Sequence, residues 1–337
     1  MSDTVGIDFT IGANLPWVCY GCDFGANAWF PSGGLGARKR EDLQIIFDRL
    51  RDSGIRVIRW FTLCDLRAGV RFDDDGVPET LDTAFDRDFE TALSLIDRSG
   101  LRLVPVLFDF HLCRPRRRLG GVEMGGRSRL LRVPAFRDRL VERVVAPVVQ
   151  RYGNEPLIAA WDLFNEPEWA TFGIGTWNPV ASVPRRGMRA FLRDVAALTH
   201  DVASQPVTVG SASLATINLV RGIGLDFYQP HWYDTVERAA PLARPLAAVD
   251  CDRPVVLGEF PTSGSTRHPA DVVRTARAAG FAGAWFWSVL AGDRFTAPDA
   301  IDQLPGWQLT EGPAVGARPV RRSGLQTESE VFDGSAG

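Results

Sequence analysis

The chain has no long hydrophobic run and no large excess of charge of one sign. None of its segments offers the roughly 18 uninterrupted apolar residues that suggest a transmembrane helix, and its formal net charge is only -3 over 337 residues. Its start lacks a basic segment followed by an apolar one. We therefore expect no membrane or nucleic-acid partner. We expect a cytoplasmic protein, or a secreted one if the N-terminus given is a processed form.

Cysteine, histidine, tyrosine and lysine are scarce. Five cysteines are spread without the spacing of a disulfide framework, which fits a reducing compartment. Cys19 and Cys22 have the spacing of a redox or metal-binding pair, but no second pair accompanies them, and we interpret both as ordinary thiols. Lys39 is the only lysine, a bias that genome base composition explains better than function does.

The sequence does contain a regular alternation of amphipathic helices and apolar runs. Apolar residues at helical spacing from Leu43 to Leu50 precede Gly54 and the run IRVIRWFTL, and the same cadence returns before LRLVPVLFDF at 101–110. Six further runs are strand candidates, near residues 17, 157, 206, 225, 254 and 282. Further helices are predicted at 136–152, interrupted by Pro147, at 188–202 and at 271–279, with a short or broken helix after Tyr233.

Eight strands that are apolar along their whole length suit a parallel sheet buried on both faces. We therefore predict an α/β fold, a single-domain (β/α)8 TIM barrel over residues 1–303, followed by a loosely ordered tail at 304–337. A doubly wound open sheet is the alternative. Its phosphate-binding turn is not evident, because the glycine-rich stretch 33–36 lies away from a strand-to-helix junction and is better interpreted as a loop.

Polar and aromatic residues follow the predicted strands, at the ends where barrel enzymes carry their chemistry. Two of the four histidines and one of the four tyrosines in the chain are among them. The residues at these strand ends are Arg59, Asp109, His111, Asn165, Glu166, His231, Tyr233, Glu259 and Trp287.

Glu166 and Glu259 end the fourth and seventh predicted strands, which face each other across the barrel mouth. Cleavage of a glycosidic bond needs two such carboxyl groups, one protonated and one ionised, about 5 to 5.5 Å apart in retaining enzymes. We expect Arg59 and Tyr233 to hold Glu259 as the anion. Apolar and indole surroundings should keep the proton on Glu166.

These residues, taken in order along the chain, resemble the retaining glycoside hydrolases of clan A, and most closely the cellulase-like and mannanase-like enzymes of family 5. The resemblance covers about residues 11 to 290 and includes the motif Asn165-Glu166-Pro167. It implies that Glu166 is the acid/base, that Glu259 is the nucleophile and that Asn165 contacts the sugar 2-hydroxyl.

The resemblance also implies a set of substrate-binding residues. Arg59 and Tyr233 would position the nucleophile, and His111 and His231 would line the subsite where cleavage occurs. Trp287 would form the floor on which the sugar stacks. Two further tryptophans near strand ends are candidates for contacts with sugar rings: Trp169 and Trp232.

The predicted function is cleavage of β-glycosidic bonds by double displacement, without a metal or organic cofactor. Because no export signal or linked carbohydrate-binding module is visible, a soluble oligosaccharide, β-glucan-type or β-mannan-type glycan or glycoside is a more suitable substrate than an insoluble polymer. One alternative is a metal-dependent TIM-barrel hydrolase or isomerase with His111, His231, Glu166 and Glu259 as ligands. Another is a non-catalytic carbohydrate-binding barrel.

The segment between His111 and Pro134 contains seven arginines. Guanidinium groups bind carboxylates and phosphates bidentately, so this segment could clamp an acidic or phosphorylated glycan. A solvated loop in an arginine-rich chain is the competing interpretation.

Overall fold

A computed structural model of the protein describes residues 9–237, 241–297 and 299–303, so the predicted tail at 304–337 lies outside the described residues. Eight parallel strands form the central sheet. They are β1 (Thr10–Leu15), β2 (Val57–Phe61), β3 (Arg102–Asp109), β4 (Trp161–Asn165), β5 (Val207–Ser211), β6 (Gln229–Pro230), β7 (Val256–Pro261) and β8 (Gly283–Trp287).

The sheet closes into a barrel. Neighbouring strands from β1 to β6 pair in sequence order, and β8 lies between β1 and β7. The ring is completed between β6 and β7, where Tyr228 bridges to Val255 and His231 bridges to Glu259. The predicted TIM barrel is therefore confirmed.

Helices cover the outside of the barrel. They are α1 (Arg40–Asp52), α2 (Thr83–Arg98), α3 (Arg129–Arg132), α4 (Pro134–Leu140), α5 (Ala146–Tyr152), α6 (Arg185–Val202), α7 (Pro269–Ala278) and α8 (Ala300–Gln303). Two short antiparallel hairpins, Val70–Phe72 with Pro78–Leu81 and Arg117–Leu119 with Val122–Met124, lie outside the barrel sheet. Among the described residues, no helix has both the length and the apolar character to span a bilayer.

Local sequence signals account for several helix boundaries. The Asp82 carboxylate accepts hydrogen bonds from the Ala84 and Phe85 amides and caps α2, which ends shortly before Gly100 with its φ of 64°. Pro147 has no N–H to donate, and a π-helical turn, Val141–Val145, lies between α4 and α5 just before it. The expected break after Tyr233 is also present, since the connection to β7 contains only the 3-10 turn Leu246–Ala248 in its described part.

The prediction of the first strand near residue 17 was wrong. The strand is Thr10–Leu15, whose glycine, threonine and asparagine conceal it, whereas the more apolar WVCYG forms a turn. The Asp23 carboxylate stabilises this turn by accepting hydrogen bonds from the Val18 and Cys19 amides.

Apolar side chains fill the barrel and the space between barrel and helices. Trp161 and Trp285 belong to this core, as their apolar context suggests. Gly12 on β1 gives Trp285 its space, because a Cβ there would lie 2.5 Å from the indole Cδ1. The packed interior leaves the C-terminal mouth of the barrel as the place for a site.

Candidate active site

A cavity of about 540 Å³ opens at the C-terminal ends of the strands. Such a volume lies in the range of small-ligand sites. Seven of the predicted site residues line it: His111, Asn165, Glu166, Trp169, Tyr233, Glu259 and Trp287. The cavity therefore brings together, at the barrel mouth, residues that are far apart in the sequence.

Glu166 follows β4 in an unusual backbone conformation. Its φ and ψ are 50° and 57°, the left-handed region, which costs a non-glycine residue about 1–3 kcal/mol. Its amide donates to the Gly210 carbonyl on β5 at 2.6 Å, and Pro167 begins a 3-10 turn directly afterwards. The strand thus ends abruptly, and the Glu166 side chain lines the cavity.

The surroundings of Glu166 favour its protonated form. Burial raises the pKa of this carboxyl to about 7, although the Trp169 indole N–H donates to Oε2 at 2.9 Å and opposes the shift. A carboxyl group with this pKa carries a proton for much of the time at neutral pH. That is the state an acid catalyst needs.

Glu259 on β7 has different neighbours. The Arg59 guanidinium donates to Oε1 and the Tyr233 hydroxyl donates to Oε2, each at 2.7 Å. Burial raises the pKa of Glu259, while the positive charge of Arg59 and the Tyr233 hydrogen bond act in the opposite direction. Both oxygens thus accept from donors that stabilise the ionised carboxylate.

Arg59 is the centre of the buried polar network beneath the cavity. Besides Glu259, its guanidinium donates to Asp162 Oδ2 at 2.8 Å, to Asn14 Oδ1 at 2.9 Å and to Asn165 Oδ1 at 2.8 Å. The bond to Asn165 fixes the orientation of that amide and leaves its Nδ2 for the cavity. One buried cation is thereby shared between two carboxylates, so the cluster retains a negative charge when both are ionised.

The two glutamates approach each other closely. One oxygen of Glu166, one oxygen of Glu259 and a ring nitrogen of His231 all lie within 4.8 Å of one another. His231 Nδ1 contacts Glu166 Oε1 at 2.9 Å and Glu259 Oε2 at 3.3 Å, and burial lowers the pKa of this histidine to about 4. A neutral imidazole therefore joins the two carboxyl groups, at a separation that fits a retaining rather than an inverting enzyme.

Two other predicted residues form walls of the cavity. The His111 side chain is 40% exposed, and its Nδ1 lies 3.1 Å from Asp109 Oδ1. Trp287 donates its indole N–H to Asp293 Oδ2 at 2.8 Å, which fixes the ring. Trp287 and Trp169 thus supply aromatic surface to the cavity that contains the two glutamates.

Three of the predicted substrate-binding residues do not line this cavity. Arg59 and His231 are 0% and 1% exposed, respectively, and they contact the glutamates from below rather than a ligand. Trp232 is also buried and lines a separate small cavity with Leu214 and Phe281. In β6 and the residues after it, His231 and Trp232 take inward-facing core positions, and only Tyr233 reaches the cavity.

Several polar residues of the site were missed. Asn14 lies in the strand that was wrongly placed, and Asp162 is a charged residue within an otherwise apolar strand, a signal that could have identified it. Glu168 lines the cavity, where it accepts hydrogen bonds from the Ala212 amide and the Thr216 hydroxyl. Burial raises its pKa to about 7.

Comparison with known proteins gives a consistent picture, although no protein-family model matches the chain. The mannan endo-1,4-beta-mannosidase of Mytilus edulis is 22% identical over 323 residues, covering 83% of each chain. This relative and the site geometry confirm the resemblance to family 5 of clan A. The chain is a glycoside hydrolase. Its paired glutamates suit cleavage of β-glycosidic bonds by double displacement.

Solved structures of similar fold agree with the barrel of this glycoside hydrolase. The endo-1,4-beta-mannanase of Eisenia fetida has a TM-score of 0.73 at 21% identity, covering 89% of this chain and 90% of its own. The beta-1,4-D-mannanase of Cryptopygus antarcticus has a TM-score of 0.74 at 19% identity, covering 92% and 93%. Both confirm the single-domain TIM-barrel fold.

Proposed function

We propose that this glycoside hydrolase cleaves internal β-1,4 bonds of a soluble mannan-type glycan, with Glu259 as nucleophile and Glu166 as acid/base. The observation that carries the assignment of roles is the approach of the two carboxyl groups to within 4.8 Å, with hydrogen-bond donors on Glu259 and a raised pKa on Glu166. The mannan substrate is supported by the Mytilus edulis relative, a mannan endo-1,4-beta-mannosidase.

In the first step, a Glu259 oxygen attacks the anomeric carbon while Glu166 donates its proton to the departing glycosidic oxygen. A covalent glycosyl-enzyme forms and the aglycone leaves. This step converts the Glu259 carboxylate to a neutral ester. Arg59, which is fully buried, and Tyr233 would therefore hold the carboxylate in position by hydrogen bonds while it remains ionised.

In the second step, Glu166 is ionised and removes a proton from water, which attacks the same carbon and releases Glu259. His231 contacts both carboxyl groups and stays neutral, so in the tautomer protonated at Nδ1 it can donate a hydrogen bond to whichever is ionised. The bond from Arg59 to the Asn165 oxygen leaves the amide nitrogen available, and this nitrogen would contact the 2-hydroxyl. Trp287 offers the stacking surface.

A metal-dependent hydrolase or isomerase has one observation in its favour. Glu166, His231 and Glu259 offer three ligand atoms in one small volume. The donor set does not suit a cation, because both Glu259 oxygens already accept from Arg59 and Tyr233 and the guanidinium would repel a divalent ion. Loss of activity in EDTA, with recovery on addition of zinc or manganese, would favour this alternative.

The test is a panel of soluble β-1,4-linked mannan, glucan and xylan oligosaccharides with the purified enzyme. We expect internal cleavage of the mannan series, and proton NMR of the first product should show the β anomer. An α anomer would contradict the retaining mechanism, and faster cleavage of glucan or xylan would contradict the substrate class. Binding of mannan oligosaccharides without turnover would instead support a non-catalytic barrel.

A further inference from the structure

A second cavity of about 460 Å³ adjoins the catalytic one. The loops after β1, β2 and β3 build it, and His111 lines both cavities, so this side chain forms the wall between them. The other residues that matter in its lining are Tyr20, Asp65, Arg67, Arg114 and Arg117. None of them has a role in the proposed mechanism.

A row of aromatic rings connects the two cavities. From Trp287 in the catalytic cavity, the ring of Phe61 is 6.2 Å away, that of Trp17 is a further 6.1 Å, and that of Tyr20 is a further 5.6 Å. Tyr20 is 58% exposed beside the cleft, and the Arg67 guanidinium lies over its ring, 5.1 Å from the centroid. The part of the Tyr20 ring that remains exposed is suited to the apolar face of a sugar ring.

The second cavity is positively charged. Both carboxylate oxygens of Asp65 accept hydrogen bonds from Arg67, and one of them also accepts a hydrogen bond from the Gly125 amide. The charges of Asp65 and Arg67 therefore neutralise each other. Arg114 stacks on Phe110, and among the described residues no carboxylate lies within ion-pair distance of Arg114 or Arg117. Two guanidinium groups are left to face the cavity.

The loop that carries these arginines is held in a defined shape. The Gly126 amide donates to the Arg114 carbonyl at 2.7 Å, and the Trp29 indole donates to the Leu119 carbonyl at 3.1 Å. A Cβ at Gly125 would lie 2.7 Å from the Arg114 carbonyl oxygen. These contacts fix the backbone from which Arg114 and Arg117 extend.

The geometry points to a distal subsite in this second cavity that binds an acidic sugar residue of the glycan, such as a uronate, while the neutral backbone is cut next to Glu166. Tyr20 supports the ring, and Arg114 and Arg117 pair with the carboxylate. This inference rests on the proposed function, because the same chain must occupy both cavities.

The test compares a neutral β-1,4-mannan pentasaccharide with the same oligosaccharide carrying one uronate residue at either end. We expect one of the two uronate substrates to have the higher kcat/KM, and higher ionic strength should reduce the preference. In the double variant Arg114→Gln/Arg117→Gln, the preference should fall about tenfold while kcat on the neutral substrate is unchanged. Arg118→Gln, on the same hairpin but outside the cavity lining, is the matched control and should retain the preference.

Equal kcat/KM for neutral and uronate substrates would overturn the inference, as would an equal loss in Arg118→Gln, which would indicate only the general charge of the loop. Failure of the proposed function can be distinguished from failure of this inference by measuring equilibrium binding of the three oligosaccharides to the Glu259→Ala variant, because binding requires no turnover. Tighter binding of a uronate oligosaccharide that depends on Arg114 and Arg117 would support the subsite even if the neutral substrate were not cleaved.

Discussion

Glu166 and Glu259 carry the same functional group, and in the proposed mechanism only their neighbours give them different roles. Glu259 accepts hydrogen bonds from a guanidinium and a phenol, whereas Glu166 accepts one from an indole and contacts His231, whose lowered pKa keeps it neutral. Arg59 carries a permanent positive charge beside Glu259, whereas no cation is bonded to Glu166. This difference favours the ionised form of Glu259 and the protonated form of Glu166.

Alanine variants should separate the two roles. Glu259→Ala should abolish turnover, and azide or formate should restore some reaction on an activated aryl β-glycoside by replacing the lost nucleophile. Glu166→Ala should spare the first step for good leaving groups and slow the second by about 10²–10⁴-fold. Steady-state and burst kinetics provide the measurement, and the exposed Glu142→Ala is the control. Near-normal rates in both variants would contradict the assignment.

The pH profile should depend on Trp169. In the wild type, kcat/KM should fall as pH rises through about 7, because Glu166 loses the proton that it must donate. Trp169→Phe removes a hydrogen bond that favours the carboxylate, so the pKa of Glu166 should rise and the alkaline limb should move up by about one pH unit. The exposed Trp177→Phe should leave the limb unchanged. An unchanged or acid-shifted limb in Trp169→Phe would show that Glu166 does not set it.

Side chains at strand ends could be predicted, including the buried Arg59 and His231, but the direction of each side chain and the other partners beneath the cavity could not. Glu166, Glu259 and Tyr233 follow apolar runs, and their place in the cavity comes from the barrel itself. Trp232 follows the same kind of run yet packs in the core, because the direction of a single side chain depends on the local path of the backbone. Asp162 is recognisable as a charged residue in an apolar strand, but no local pattern reveals that its partner is Arg59 on another strand.

At the scale of elements, the tight approach of β5 to the Arg59 network has a direct test. A Cβ at Gly210 would lie 2.4 Å from Arg59 Nη2 and 2.9 Å from His231 Nε2, so Gly210→Ala should displace the guanidinium. We expect kcat to fall by about 10²-fold, as for a displacement of roughly 1 Å in a catalytic group.

The control for this variant is Gly187→Ala in α6. The new methyl there would meet Val183 at an ordinary 3.4 Å, and alanine favours the helix by up to about 1 kcal/mol. Kinetics together with thermal unfolding distinguish a displaced site from a poorly folded protein. If both variants had wild-type kcat, the close packing of Gly210 against Arg59 would be unimportant.

Elements were predictable where periodicity is strong. The apolar spacing of α1 and α2 and the runs of β2 and β3 identify them, since burial of one face requires that pattern. Hydrophobic periodicity did not identify β1, because Asn14 in this strand resembles a turn residue. Asn14 is in fact buried, and it forms hydrogen bonds with two backbone carbonyls and with Arg59. A polar side chain satisfied by distant partners cannot be distinguished locally from an exposed one.

For the whole molecule, the number of apolar runs was sufficient to predict the barrel, and closure then determines which loops meet. The two cavities on its mouth offer more space than one sugar fills, so the cleft should bind several residues of a chain. We therefore expect kcat/KM to rise by at least about tenfold from the mannan disaccharide to the pentasaccharide, measured by chromatography of products. Equal kcat/KM for the two substrates would instead indicate a site that binds only one or two sugar residues.

A single guanidinium joins four strands of this barrel, since Arg59 on β2 bonds to side chains on β1, β4 and β7. Anyone who redesigns this scaffold for another reaction must therefore replace a whole set of side chains together. Replacing these side chains one at a time would leave a buried charge without its partner at every intermediate stage.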